Sequence, residues 1–337
     1  MRKLRVLVLM HPSLVPPDSL EGYTEKEIYL WKTEYDVVTT LRKLGHEVKP
    51  LGVQDELMPI RTEISEWKPH IVYNLLEEFH GVAEFDHHVV SYLELLQTRY
   101  TGCNPRGLVL ARDKALSKKL LVYHRVRVPN FTVIPLGLVA RHPRRLTFPL
   151  IVKSLTKEAS LGISQASIID SDEKLAERVR FIHESRGTAA IVEQFIDGRE
   201  LYVGVLGNRR LEVLPVWELT FENMPPGSAT IATARVKHDP EYQRKRGIYQ
   251  QPAVDLPPAL TGHIVKTSKR IFRILELDGY VRIDYRLSPK GELYFLEANP
   301  NPEVAESEEF ASAAQAAGIS YPALLQKIIN LGLQRER

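Results

Sequence analysis

Gly279-Tyr-Val-Arg-Ile-Asp-Tyr-Arg286, answered by Leu293-Tyr-Phe-Leu-Glu-Ala-Asn-Pro300, is the stretch on which the reading of this chain turns. Both segments read as strands, and Ser288-Pro-Lys-Gly291 between them turns the chain back into a hairpin. Residues two apart on a strand share a face. An even-numbered turn sets Arg282 opposite Glu297 and Asp284 opposite Phe295, so that Arg282, Asp284, Glu297 and Asn299 line one side; an odd loop breaks this. Two carboxylates and an amide oxygen are hard ligands suited to Mg²⁺, which keeps water and nucleotide phosphate oxygens in its other positions. The arginine beside them is suited to hold an oxyanion or a phosphate. A hairpin whose exposed face is simply polar fits these residues equally well when they are taken alone.

Context upstream favours the chemical reading. Lys153 ends the apolar strand Phe148-Pro-Leu-Ile-Val-Lys153 and runs into a small polar loop, 154–162, able to wrap a phosphate with backbone N–H groups. Glu193 and Glu200 flank Gln194-Phe-Ile-Asp-Gly-Arg199, a strand-to-turn element suited to adenine through its backbone and to a ribose through a carboxylate. Each signal is weak singly, since a lysine at a strand end is usually just solvated. Their order along the chain is more specific.

Around these motifs the chain divides into three units. Residues 1–105 begin as a doubly wound α/β domain, with strands over 4–10, 48–51 and 71–75 and a helix over 25–44 stopped by Gly45. Residues 106–190 form a small α+β unit with helices over 113–123 and 172–184 and strands over 131–134, 149–153 and 163–169. Residues 191–337 open with apolar runs over 190–195, 200–206 and 211–219, expected to be antiparallel neighbours. The polar stretch 220–258 is too long for an idle connection and is a candidate lid; a helix over 259–277, the hairpin and two short helices follow.

Composition excludes several classes. A chain of 337 residues, 44% of them hydrophobic, can bury a sizeable core. The net charge of +3, with both signs dispersed, gives no bulk argument for nucleic acid. No segment approaches the roughly 20 apolar residues that cross a bilayer, so no membrane partner is expected. The basic start at 1–10 has a short apolar run and no cleavage site, hence no export signal is read. The single cysteine, Cys103, permits no internal disulfide, suits a reducing cytoplasm and is expected as a packed side chain. His87 and His88 lack a metal-ligand partner at convincing spacing and are read as structural. After the first strand, where a dinucleotide-dependent oxidoreductase carries Gly-x-Gly-x-x-Gly, this chain has His11–Pro17 instead.

In this ordered set, over roughly residues 100–333, the chain resembles the ATP-grasp superfamily and, within it, the D-alanine-D-alanine ligases. The resemblance implies an ATP-grasp fold behind an N-terminal doubly wound (pre-ATP-grasp) domain. It also implies an ADP-forming ligase that activates a carboxylate as an acyl phosphate and passes it to an amine. Asp113-Lys114-Ala-Leu-Ser-Lys-Lys-Leu-Leu121 resembles the segment whose lysine, here Lys114, contacts ATP phosphate. Lys153 resembles the second phosphate lysine, with Ser160 and Gly162 in register in its loop. Val192-Glu193-Gln194-Phe195-Ile196 looks like the adenine hinge, Leu296 belongs with the nucleotide-binding positions, and Glu200 stands where the family binds the ribose hydroxyls. Lys237 resembles the lid lysine that reaches the γ-phosphate. Asp284, Glu297 and Asn299 match the ligands of Mg²⁺, with Mn²⁺ as an alternative, and Arg282 matches the arginine that steadies the tetrahedral intermediate. The family habit also implies a homodimer through the first unit.

Departures bear on the substrates, which are expected to be a small carboxylate and an amine. The first residue of a serine pair in the phosphate loop is Ala159 here, with Glu158 before it, a lid tyrosine is replaced by His238, and the Pro-Gly turn and serine after the metal asparagine give way to Pro300-Asn-Pro-Glu303-Val-Ala-Glu306-Ser-Glu308-Glu309. The usual Gly-Gly-x-Ser loop after the first strand is absent as well. Four carboxylates should repel an acceptor carboxylate, so joining two D-alanines is not the expected reaction. Glu303–Glu309 points either to an acceptor bearing positive charge, such as a diamine or basic amino acid, or to capping of the helix that follows. Glu77 or Glu78, after the third strand, is placed to hold a substrate ammonium or else lies in a solvated acidic loop. A ligase for a peptide-like natural product, a phosphotransferase and a nucleotide-binding regulatory protein without turnover are the alternatives.

Overall fold

A computed structural model of the chain describes residues 3–156 and 163–335. The first unit is built from β1 (Arg5–Met10), α1 (Glu25–Leu30), α2 (Lys32–Lys43), β2 (Glu47–Gly52), α3 (Met58–Glu66), β3 (Ile71–Asn74), α4 (Asp86–Leu95), α5 (Pro105–Arg112) and α6 (Lys114–Tyr123). β1 pairs in parallel with both β2 and β3. A central parallel strand is covered on both faces, which is why Val6–Met10 is an unbroken, fully buried apolar run. The single helix expected over 25–44 is two helices. The break falls at Trp31, whose φ of −127° leaves the helical region and whose ring packs edge-on against Tyr23 at 5.4 Å. No Gly or Pro marks the spot, so the sequence carried no stop signal.

The second sheet contains β4 (Phe131–Ile134), β5 (Leu150–Ser154), β6 (Ile168–Ile169) and, after α7 (Asp172–Arg186), β7 (Ala190–Gln194), in the order β4-β7-β5-β6. The run expected to open the third unit is thus an interior strand of the second sheet. Both edges of β7 are occupied, by β4 and β5, so it cannot pair with the strand that follows. The strand expected over 163–169 shrinks to Ile168–Ile169, because Ser164 and Ser167 cap a short 3₁₀ turn in front of it. α7 starts at Ser171, whose side chain accepts from the Lys174 N–H, and stops at Gly187 with φ 65°. Its buried Leu175, Val179 and Ile182 pack with Leu150, Val152 and Val192 in a separate core.

The large sheet comprises β8 (Arg199–Gly207), β9 (Leu211–Val213), β10 (Trp217–Phe221), then, after α8 (Ala234–His238) and α9 (Pro240–Arg246), β11 (Ile248–Pro252), and after α10 (Pro258–Ile274), β12 (Gly279–Leu287) and β13 (Leu293–Pro300). Its order is β11-β10-β8-β12-β13, with β9 also on β8. The single run expected over 211–219 is split into β9 and β10 on either side of Pro215, which has no N–H for a ladder. The helices α11 (Glu309–Ala316) and α12 (Tyr321–Leu333) close the chain. One core joins Val6, Val8 and Tyr73 of the first unit to Tyr280, Phe310 and Ile328, so the first unit and the large sheet are packed as one body. No helix among the described residues is long and apolar enough to cross a membrane.

Candidate active site

The hairpin β12–β13 does not have the register expected from the sequence. Leu287 pairs with Leu293, which leaves the five residues Ser288–Glu292 as an odd loop. The ladder then shifts between Asp284 and Tyr285, so that Tyr285 pairs with Phe295 whereas Asp284 pairs with Glu297. Leu296 is the extra residue of this bulge. Without it the odd loop would set Asp284 opposite Leu296; with it Asp284 meets Glu297 and Arg282 meets Asn299, and all four polar side chains share a face after all.

On that face Arg282 holds both oxygens of Asp284, from Nε at 2.8 Å and Nη2 at 3.0 Å, and pairs through Nη1 with Glu309 at the first turn of α11. Its guanidinium also lies 4.9 Å from the Tyr202 ring centre. Asn299 donates from Nδ2 to Asp284 at 3.0 Å, leaving its amide oxygen as a donor atom for a cation. Burial raises the Asp284 carboxyl to about 6 against the opposing pull of Arg282. Burial also acts to raise Glu297, but Lys114, Lys237 and Lys153 outweigh it and hold that carboxyl at about 2. Lys114 Nζ is 3.8 Å from Glu297. Two carboxylates and an amide oxygen on one face of the hairpin fit a hard, oxygen-seeking divalent cation and offer no thiolate or imidazole to a softer one.

The cleft runs between the second sheet and the large sheet. Lys153 and Ile151 come from β5, Ile231 and Lys237 from the 220–258 segment, and Leu296 and Glu297 from the bulge. The expected hinge residues Glu193, Gln194, Phe195 and Ile196 also line it, as does Glu200. The N–H groups of Gln194 and Phe195 are taken by the Asn130 and Pro149 carbonyls, at 2.8 and 3.1 Å. Among the described residues the Ile196 N–H has no such partner, which makes it the open hinge donor. Beneath the hinge, Glu193 lies between Lys118 at 2.9 Å and Lys153 at 3.1 Å, with all three side chains largely withdrawn from water. Burial pushes Glu193 upward, yet the two ammonium groups prevail and hold it ionised, at about 2. Glu200 is engaged by Arg286 at 3.1 Å and by the Tyr202 hydroxyl at 3.0 Å.

Two residues without an assigned role from sequence, Lys118 and Arg286, belong to this machinery, and so does Glu309, which the sequence placed only in the acidic run. Lys118 follows Lys114 by one helical turn on α6 and also donates to the Leu296 carbonyl, tying the bulge to the hinge. Arg286 lies two beyond Asp284 on β12, on the same face, and also donates to the Gly198 and Thr230 carbonyls at 3.1 and 3.0 Å. Glu309 closes the acidic run. Spacing alone could have found Lys118 and Arg286. Ser160 and Gly162 lie outside the described residues, as does the side chain of His238. Glu77 and Glu303 are exposed and half-buried Glu78 stands beside Glu77; Thr33 donates to Glu303 at 3.1 Å. His87 and His88 stack on each other at 3.9 Å, and Cys103 is fully buried, as a packed side chain should be.

The model of the D-Ala D-Ala ligase C-terminus matches residues 120–330. A D-alanine–D-alanine ligase of Desulfotalea psychrophila is 30% identical over 328 residues, covering 96% of this chain and 91% of that protein. The uncharacterised protein y4sG of Sinorhizobium fredii is 30% identical over 307 residues, 89% of this chain and 87% of its own. Among solved structures, the D-alanine–D-alanine ligase of Bacillus anthracis complexed with ATP superimposes with a TM-score of 0.75 over 98% of both chains, at 22% identity, a likeness of fold. Taken with the cleft and its ordered lysines and carboxylates, these matches make the chain a member of the D-alanine–D-alanine ligase family, with the ATP-grasp fold and the ATP-dependent, ADP-forming carbon–nitrogen ligase chemistry of that family.

Proposed function

We propose that the protein joins a small carboxylate to an amine, a pair other than two D-alanines, through an acyl phosphate, the nucleotide lying in the cleft between the second sheet and the large sheet. The observation that carries this reading is the common face of Arg282, Asp284, Glu297 and Asn299, whose two carboxylates line the cleft together with Lys153 and Lys237. A carboxylate does not react with an amine near neutral pH. Its oxygen attacks the γ-phosphorus of ATP and ADP leaves; the amine nitrogen then attacks the acyl carbon, the carbon–oxygen bond to phosphate breaks, and the nitrogen releases a proton.

Phosphoryl transfer depends mainly on position and on neutralising phosphate oxygens. Lys114, Lys153 and Lys237 supply that positive charge. Asp284, Glu297 and Asn299 would hold Mg²⁺, which when bound supplies further charge neutralisation at the phosphates. Arg282, fixed in direction by Asp284 and Glu309, is placed to stabilise the oxyanion as the amine attacks, and losing one such donor costs roughly 3 kcal/mol of barrier. The 220–258 segment acts as the lid, and Ala234 N–H donating to the Ile163 carbonyl at 3.2 Å fastens it to the second sheet. The departures after Asn299 argue against an acceptor that ends in a free carboxylate.

The test is release of ADP and phosphate from MgATP with pools of carboxylates and amines, in the wild type and in Asp284→Asn. Release that requires one carboxylate together with one amine, and that collapses in the variant, supports the ligase. ADP appearing without free phosphate points instead to a phosphotransferase and sinks the proposal.

A further inference from the structure

Arg286 stands where the large sheet, the turn before it and the lid meet. It faces Glu200 across the β12–β8 ladder, is 4% exposed and pairs through Nη2 with that carboxylate at 3.1 Å. Tyr202, two residues along β8 and so on the same face, donates its hydroxyl to the other Glu200 oxygen at 3.0 Å. The remaining contacts of the guanidinium leave the sheet. Nη1 donates to the Gly198 carbonyl, in the turn before β8, at 3.1 Å and to the Thr230 carbonyl, in the lid, at 3.0 Å. The turn comes this close to β12 because Gly198, at φ 124°, has no side chain; a Cβ there would overlap the Leu287 carbonyl.

The lid is fastened from both sides of the cleft at this point. Ala229 is held from the second sheet: its N–H and its carbonyl are both bonded to the Gln165 side-chain amide, at 3.0 and 2.8 Å. Thr230 is held from the large sheet by Arg286, and among the described residues that is the one hydrogen bond its carbonyl accepts. The next residues, Ile231 and Ala232, line the cleft together with Arg286 and Glu200. Ala232 and Val236 also cluster with Tyr202 and Leu219 of the large sheet. A guanidinium is planar and presents its N–H groups in fixed directions, so it cannot follow Glu200 without moving the donors that hold Gly198 and Thr230. An ion pair that served the sheet alone would be complete with Glu200; the bond to Thr230 adds nothing to the ladder and fixes the lid.

Of the four carboxylates that line the cleft, Glu193 is locked between two lysines, and Asp284 and Glu297 share the face suited to a cation. Glu200 is left as the acceptor for the hydroxyls of a nucleotide's sugar. Its two oxygens offer about four acceptor sites, and Tyr202 and Arg286 leave room on both. We infer that Arg286 is a positioning residue that couples the sugar to the lid: ribose hydroxyls donating to Glu200 fix the guanidinium, the guanidinium holds Thr230, and the lid seats fully only over a nucleotide with an intact ribose. This rests on the proposed placement of the nucleotide in the cleft. Sugar recognition then acts on closure as well as on affinity, and by linkage a seated lid tightens the hold on the sugar. Lys237, on the same segment, is delivered to the cleft by the same closure.

The test reads lid closure apart from affinity and from turnover. Proteolytic cutting within 220–258 is timed in the full chain without nucleotide, with saturating MgATP and with the saturating Mg²⁺ complex of 2′,3′-dideoxy-ATP; no carboxylate or amine is present, and calorimetry gives the binding of each nucleotide. In the wild type MgATP should slow cutting about fourfold and the dideoxy nucleotide less than about twofold. Arg286→Met should bring both nucleotides to the same small protection. Arg286→Lys keeps a cation beside Glu200, and decides the matter where Arg286→Met does not fold; one nitrogen replaces the two that span the carboxylate and the carbonyls, so the difference between the nucleotides should shrink there too. Gln165→Ala, which loosens the lid from the opposite side, should lower both protections and leave MgATP the better protector. Equal protection by the two nucleotides in the wild type, a full difference retained in Arg286→Lys, or the same loss of difference in Gln165→Ala would overturn the inference and leave the ligase reading standing. Binding of neither nucleotide to the wild type would remove the placement on which both depend.

Discussion

Two regions of the molecule treat buried acids in opposite ways. At the nucleotide end every carboxylate has a cation: Glu193 has Lys118 and Lys153, Glu200 has Arg286, Glu297 has Lys114 and Asp284 has Arg282. Glu193 and Glu297 are consequently held at about 2. At the far end Glu34 and Glu308 face other acids and are raised to about 7 and about 8. The first arrangement is complete in the absence of substrate, so the cleft is preorganised for a ligand whose charge is already balanced by lysines.

Breaking the balanced end should have the largest effects. Arg282→Met removes the proposed oxyanion donor and strands Asp284 beside Glu309; kcat should fall by a factor of about 10² to 10³, measured as ADP release under saturating substrates. Glu193→Gln leaves two buried ammonium groups without their shared partner and should destabilise the fold by about 3 kcal/mol in urea denaturation. The unbalanced end should respond with the opposite sign. Glu34 titrates at about 7 in the folded chain against 4.5 ordinarily, so the folded state binds its proton more tightly than the unfolded state does. Its contribution is fully favourable below about pH 4.5 and is lost as pH rises through about 7. Glu34→Gln should therefore be more stable than wild type above about pH 8, by on the order of 2 kcal/mol, with the difference vanishing near pH 4. A variant that is no more stable at high pH would mean that Glu34 has a counter-charge after all. The smallest effect concerns the lid: MgATP should slow proteolytic cutting within 220–258 by a few fold, while sites in the first unit are unaffected.

How much of this the sequence disclosed differs between the two ends. The nucleotide end was legible because its residues fall in an order that chemistry requires, from Lys114 through Lys153, Glu193 and Lys237 to the hairpin. The hairpin itself was legible for an incomplete reason. Parity of the loop was expected to be even and is odd, and the bulge at Leu296 restores the shared face; a bulge depends on where neighbouring strands pull, which a single pair of segments does not reveal. β7 was misassigned for a related reason, since a short turn such as Asp197-Gly198 looks the same whether it returns a strand to its own sheet or passes it to another. Around Glu34 the signal was present in part. Glu34 falls in register with Val37, Val38 and Leu41, an acid on an apolar stripe, while its neighbours Glu77 and Glu303 lie 43 and 269 residues on, and no local pattern unites them.

The measurement that bears most directly on the acyl-phosphate ligase uses the carboxylate identified by ADP release, labelled with ¹⁸O in both oxygens. Activation as an acyl phosphate moves one carboxylate oxygen into the phosphate that leaves, so each turnover should place a single ¹⁸O in inorganic phosphate and leave ADP unlabelled. Label found in AMP, or phosphate released without label while amide forms, would contradict it.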